Sequence, residues 1–191
     1  LKRIAFLSIA ACLLLMVTAS PLDAQQPQTG KLRLTHNKAA SYLELVRSAD
    51  LIVLGHIDNH TSSYPTGVPL GTGKLVNYVQ PLRVQQKLKG LTIPSPLQLL
   101  TDGVEPLPKP SDPLNLTYTG PIAQGEYMFF LRKVPGTNFY ALVGQWQGIY
   151  PVLHGKLIAV LEGGFQQFMG LTVPQVKQIV DSAGTHRIQT D

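Results

Sequence analysis

From Val76 to Leu88 the apolar residues Val76, Tyr78, Leu82, Val84 and Leu88 fall on even positions, with polar Asn77, Arg83, Gln85 and Lys87 between them. That period of two predicts a long strand with one buried face. Pro81 lies inside it and cannot donate to a ladder, which predicts an edge or a bulge there. Other strand patterns flank it. Leu51 to Leu54 is a continuous apolar run continuing to about Ile57, Leu97 and Leu99 bracket Gln98, and Tyr127 to Leu131 reads as a central strand. Phe139 to Val143 pairs back on that strand across the turn Pro135-Gly136-Thr137-Asn138. A second hairpin joins Ile149–Leu153 to Lys156–Leu161 through His154-Gly155. Helical periodicity is confined to two places. Ala39 to Arg47 clusters Tyr42, Leu43, Leu45 and Val46 on one face. After Thr172, whose capping box is closed by Gln175, Val173, Val176, Ile179 and Val180 form a stripe ending near Gly184. The count is about seven strands, enough for a small barrel or sandwich.

The ends and connections are of another character. Lys2 and Arg3 precede a run of 14 residues, Ile4 to Val17, apolar but for Ser8, and small residues up to Ala24 follow, which is the pattern of an export signal. The run is short for a membrane span, which takes about 20 residues. Residues 1–24 are therefore expected to be a removed signal, 25–38 a Pro/Gln-rich linker, 39–184 the folded domain and 185–191 a frayed tail. Gly103 to Gly120 carries four prolines and is expected to be a long exposed loop. The single cysteine, Cys12, lies in the signal, so the mature domain must stand without disulfides. Ile9-Ala10-Ala11-Cys12 also has the form of a lipobox, and a lipidated Cys12 would tether the protein to a membrane. The formal charge of +5 falls to about +4 without the signal, and Lys and Arg are spread singly, unlike a nucleic-acid tail.

Four segments resemble bacterial exported proteins with an OB-like barrel, related in outline to the netrin and tissue-inhibitor-of-metalloproteinase modules. Ser48-Ala49-Asp50-Leu51-Ile52-Val53-Leu54-Gly55 is similar to their opening strand, and Leu82 to Gly90 to their "VxxxLKG" strand. Gly125 to Leu131 is similar to their "GxxYLxFL" strand, and Gly170 to Val176 to the start of their closing helix. The resemblance implies a mainly β fold: a small OB-like β-barrel of about six to seven strands, with a short N-terminal helix and a C-terminal helix. Metalloproteinase inhibition in the animal family depends on an N-terminal Cys that chelates the target's zinc. The mature chain has none, so that mechanism is excluded while inhibition through a loop is not.

Candidate chemistry is sparse. His56, Asp58 and His60 alternate, and on a strand continuing that far they share one face, a spacing that can seat a divalent metal if His154 or another group completes it. Gly71-Thr72-Gly73-Lys74 lacks the spacing of a phosphate loop and precedes a strand, so it is expected to be a turn. No Gly-x-Ser-x-Gly elbow and no facing carboxylate pair is present, and no catalysis and no cofactor are expected. Trp146, flanked by Gly144, Gln145, Gln147 and Gly148, is expected to be partly exposed and, with Tyr150, to bind ligand as aromatics of OB barrels do. The expected protein is a monomeric, exported binding module, secreted or held in the periplasm or cell wall. Its expected partner is a protein or an envelope polymer and not nucleic acid. The alternative is a secreted hydrolase inhibitor that inserts the Gly103–Gly120 or the Asp58–Gly73 loop.

Overall fold

The computed structural model describes residues 28–91, 96–160 and 163–185. Residues 1–24, expected to be an export signal, and Cys12 among them lie outside the described residues, as do the residues beyond Thr185. The fold is mainly β, an eight-stranded sheet with three α-helices. In chain order, a 3₁₀ turn at Thr29–Lys31 and an extended strap lead into α1 (Tyr42–Ser48). Then come β1 (Leu51–Ile57), β2 (Ser62–Leu70), β3 (Gly73–Lys89), β4 (Leu97–Glu105), α2 (Leu114–Thr117), β5 (Gly125–Lys133), β6 (Phe139–Leu142), β7 (Ile149–Leu153), β8 (Lys156–Leu157) and α3 (Val173–Thr185).

Local chemistry sets the helix ends. Ser41 Oγ accepts the Glu44 N–H at 3.1 Å and Glu44 Oε2 accepts the Ala40 N–H at 2.7 Å, a reciprocal cap that starts α1 at Tyr42 and not at Ala39. At its other end Lys89 Nζ donates to the carbonyls of Val46, Arg47 and Ala49, groups left over by the last turn. In α3 the Gln175 side-chain Oε1 accepts the Thr172 N–H, the half of the capping box that forms, and also accepts the Thr172 hydroxyl.

Strand β3 organises the sheet. Along one side it carries β4 from Lys74 to Leu82; it also pairs with β2 up to Val79 and with β1 from Leu82 onward. Pro81 falls where β3 has left β2 and reaches β1, so the missing N–H interrupts neither ladder. Strand β2 is the correction to the expected Asp58–Gly73 loop: Ser62 to Leu70 pairs with β3 as one arm of a hairpin. It keeps Pro65 and Pro69 on its exposed face, residues that discourage further pairing at an edge.

The pairings β1–β3, β3–β4, β4–β6, β6–β5 and β5–β1 return to their starting strand, with β4 and β6 parallel and the other pairs antiparallel. Two apolar clusters divide the core, which explains why β1 and β5 read as unbroken apolar runs: each is buried on both faces. Leu51, Val53 and Ile57 of β1, Leu82 of β3, Leu97 and Leu99 of β4, Phe129 and Leu131 of β5, and Tyr140 and Leu142 of β6 share one cluster. Ile52, Met128 and Phe130 point the other way, into a cluster completed by Leu45 and Val46 of α1 and Val176, Val180 and Ala183 of α3. The β7–β8 hairpin forms, with His154 and Gly155 both in the left-handed region (φ 51° and 74°), but its second arm is Lys156–Leu157 and not the longer Lys156–Leu161 expected.

The segment expected to be a linker is different. Its described part packs on the sheet: Thr29 is buried, and the buried Asn77 amide on β3 donates to the carbonyls of Thr29 at 2.6 Å and Leu32 at 3.1 Å. Among the described residues the packed unit thus reaches back to Thr29, ahead of the expected start at Ala39.

Candidate functional site

The proposed metal triad does not assemble. Strand β1 ends at Ile57, so the alternation that would align His56, Asp58 and His60 is lost after His56. Arg83 on β3 donates to Asp58 Oδ1 at 2.8 Å and places a cation where the metal would lie, with His56 Nε2 3.4 Å from the same oxygen. His60 is solvent-exposed and His154 belongs to the β7–β8 turn. Among the described residues no three His, Cys, Asp or Glu side chains group to hold an ion.

Of the two aromatic candidates, Tyr150 is core. It is fully buried between Phe130 and Phe168, with ring centroids at 5.7 and 5.0 Å, and its hydroxyl accepts the Phe165 N–H at 2.9 Å. Burial holds its phenol well above the usual value, an environment with no opening to a ligand. Trp146 is half-buried in a 3₁₀ turn, Gln145–Gly148, and its indole N–H is spent on the Asn115 carbonyl at 2.7 Å. It anchors the loop after β4 and presents no free donor. Gly71-Thr72-Gly73-Lys74 is the turn between β2 and β3, as expected.

What the structure does bring together is a set of polar side chains holding extended chain against the sheet. The Gln147 amide accepts the Ala39 N–H at 2.8 Å and donates to the Ala39 carbonyl at 3.1 Å. Gln80 does the same for Ile122, with both contacts at 2.8 Å, so each amide imitates one rung of a ladder. His36 on the strap bonds the buried Asp102 of β4 at 2.7 Å and meets Tyr118 edge-on at 5.4 Å. Asn77 pairs across the sheet with Asp102, so the strap crosses the outer face of β3 and β4. On the neighbouring strand position Tyr78 donates to Glu105 Oε1 at 3.0 Å. Burial first and that carboxylate second keep its phenol neutral far above the usual range. The visible signal for these residues was a polar side chain inside an apolar strand, as Asn77 and Gln80 are in β3.

Beside the strap lies an open cleft of about 80 Å³. Arg33, Thr35 and Asn37 form one wall, Arg132 and Lys133 of β5 the other, and residues 141–144 the floor. Arg33 is fixed by donating to the carbonyls of Gly30, Leu32 and Thr66. Lys133 Nζ lies 5.2 Å above the Tyr140 ring.

The loop from Pro106 to Gln124 is also built, not slack. Asp112 Oδ1 caps the Leu114 N–H at 2.9 Å, Asn115 Nδ2 donates to the Lys109 carbonyl at 2.6 Å, and Leu107 and Leu116 face solvent. Neither a protein-family model nor a curated protein matches the chain, so its functional reading rests on this geometry.

Proposed function

We propose that this chain is an exported, non-catalytic binding module built on an OB-like five-stranded β-barrel, working in the cell envelope or outside the cell. The observation that carries the reading is the cyclic pairing of β1, β3, β4, β6 and β5, with every strand of the cycle contributing to one apolar cluster. The parallel β4–β6 contact closing a Greek-key path supports the OB-like form. Export is supported by the charged, apolar and small-residue succession over residues 1–24. The binding role follows by analogy of fold and from the polar cleft and anchored loop that flank the sheet. The test is fractionation of cells carrying the tagged chain, followed by co-sedimentation of the purified mature protein with isolated envelope fractions. Partition with one fraction is expected. Retention in the cytoplasm, or partition with no fraction, overturns the reading. Labelled fatty acid incorporated in the parent and lost in Cys12→Ser would assign the tethered form.

A second reading, hydrolase inhibition, is favoured by one feature: the loop from Pro106 to Gln124 holds exposed Leu107 and Leu116 on a frame braced by Asp112, Asn115 and Trp146. A preorganised loop loses little entropy on entering a cleft. The Asp58–Gly73 segment offers no such loop, being largely strand β2. A panel of secreted proteases titrated with the protein tests it, and unchanged rates throughout reject it.

A further inference from the structure

The cleft between the strap and the β5–β6 hairpin gathers three cations, Arg33, Arg132 and Lys133, and no acidic residue lines it. Asp50, just before β1, uses Oδ2 to accept the Lys133 backbone N–H at 2.9 Å. Arg33 is held by three carbonyls through Nη1 and Nη2, which leaves two of its five N–H groups to point elsewhere. The Arg132 guanidinium has no ion-pair partner among the described residues. Thr35 and Asn37 add neutral donors to the same wall. Cations and neutral donors lining a small concavity that no acidic residue lines are the chemistry of an oxyanion site.

The strap extends this pattern beyond the cleft. Arg33, Thr35 and Asn37 are exposed while Leu34 and His36 between them are half-buried, so donors recur outward at every second residue of an extended chain. That repeat is about 6.8 Å. A single small anion would use one such step, whereas a flexible polymer bearing anionic groups uses the row. No aromatic side chain lines the cleft, which leaves nucleobases nothing to stack on.

We propose that the cleft and the outward face of the strap bind a polymer carrying repeated phosphate, sulfate or carboxylate groups, with one group seated between Arg33, Arg132 and Lys133. This deepens the binding-module reading and rests on it. The experiment measures binding of the purified mature protein to inorganic polyphosphate, polygalacturonate, free phosphate and an oligo(dT) strand over a series of salt concentrations. The expected result is polyanion binding that weakens with salt, exceeds free phosphate, and falls at least tenfold in R132Q/K133Q, with Lys109→Gln on the far loop unchanged. Both cleft residues are exposed, and an unaltered melting curve verifies that the double variant is folded. The proposal is overturned if neither polyanion binds, if R132Q/K133Q binds as the parent does, if free phosphate binds as tightly as the polymers, or if oligo(dT) binds best. Envelope partition that persists unchanged in R132Q/K133Q would reject this site while leaving the module reading intact.

Discussion

Replacing Asn77 tests whether the strap is part of the fold. Its side chain is 1% exposed, and its Nδ2 donates to the carbonyls of Thr29 and Leu32 at 2.6 and 3.1 Å. In Asn77→Ala both bonds vanish, while the Thr29 carbonyl keeps the Leu32 N–H and the Leu32 carbonyl keeps Arg33 Nη1. At about 1 kcal/mol net per bond the loss is about 2 kcal/mol, or a fall in Tm of about 4–8 °C for a domain of this size. Asn77→Asp is the sharper case. At neutral pH it sets a carboxylate against the same two carbonyl dipoles, and a buried unpaired charge costs about 3–5 kcal/mol. Burial raises that carboxyl's folded pKa above its unfolded value of about 3.9, so the protonated form is the one the fold favours. The penalty of Asn77→Asp is therefore absent below about pH 4 and grows as pH rises toward the folded pKa. Thermal unfolding at pH 4 and pH 7, with hydrogen exchange read over residues 29–37, measures both effects. If Asp and Ala variants are equally stable at pH 7, or if exchange in the strap is unchanged in both, the clamp does not hold the strap.

Trp146→Phe keeps a ring in the cluster but removes the bond to the Asn115 carbonyl, so stability should fall by about 1 kcal/mol, with new protease cleavage within the loop Pro106 to Gln124. Cleavage at the parental rate would show that the bond does not brace the loop. Gly103→Ala places a Cβ 2.8 Å from Gly120 Cα and 2.8 Å from Tyr78 Cε2, against backbone pinned by the Gly120 N–H to Asp102 bond, and should cost about 2–3 kcal/mol by denaturant titration. A neutral result would mean the loop shifts freely. The phenols of Tyr78, Tyr127 and Tyr150 are raised, chiefly by burial. Their raised folded pKa means the stability they contribute is fully present below about pH 10, the unfolded value, and is lost as pH rises above it. Absorbance at ~295 nm should show the buried tyrosines ionising only together with loss of circular dichroism, and titration of all seven at ordinary pH with the fold intact would contradict this.

Where burial is one-sided or complete, the sequence was readable. The alternation in β3, the apolar runs of β1 and β5 and the capping box of α3 each produce the element they predict, although β3 buries both faces from Val76 to Gln80, the polar Asn77 and Gln80 included. Strand β2 was missed because Pro65, Gly67 and Pro69 argue for a loop. The period of two was nonetheless there in Tyr64, Thr66, Val68 and Leu70, which are the half-buried positions. Its stability comes from β3 rather than from its own propensity. The strap lacked any periodicity to find, since it is held by side chains remote in sequence, 48 residues away for Thr29 and 66 for His36. For the same reason no spacing rule places Arg33 beside Arg132. Tyr150 was misread because an aromatic in a strand looks alike whether it faces solvent or Phe168.

The β1–β5 pairing sets the order of events for a chain delivered N-terminus first. Leu51 pairs with Leu131, so β1 stays without this neighbour until residue 131 is available. Sequence-distant pairings of this kind are slow to form, because the loop entropy must be met before the contact rewards it. Until then β1, apolar on both faces, is an aggregation hazard during synthesis.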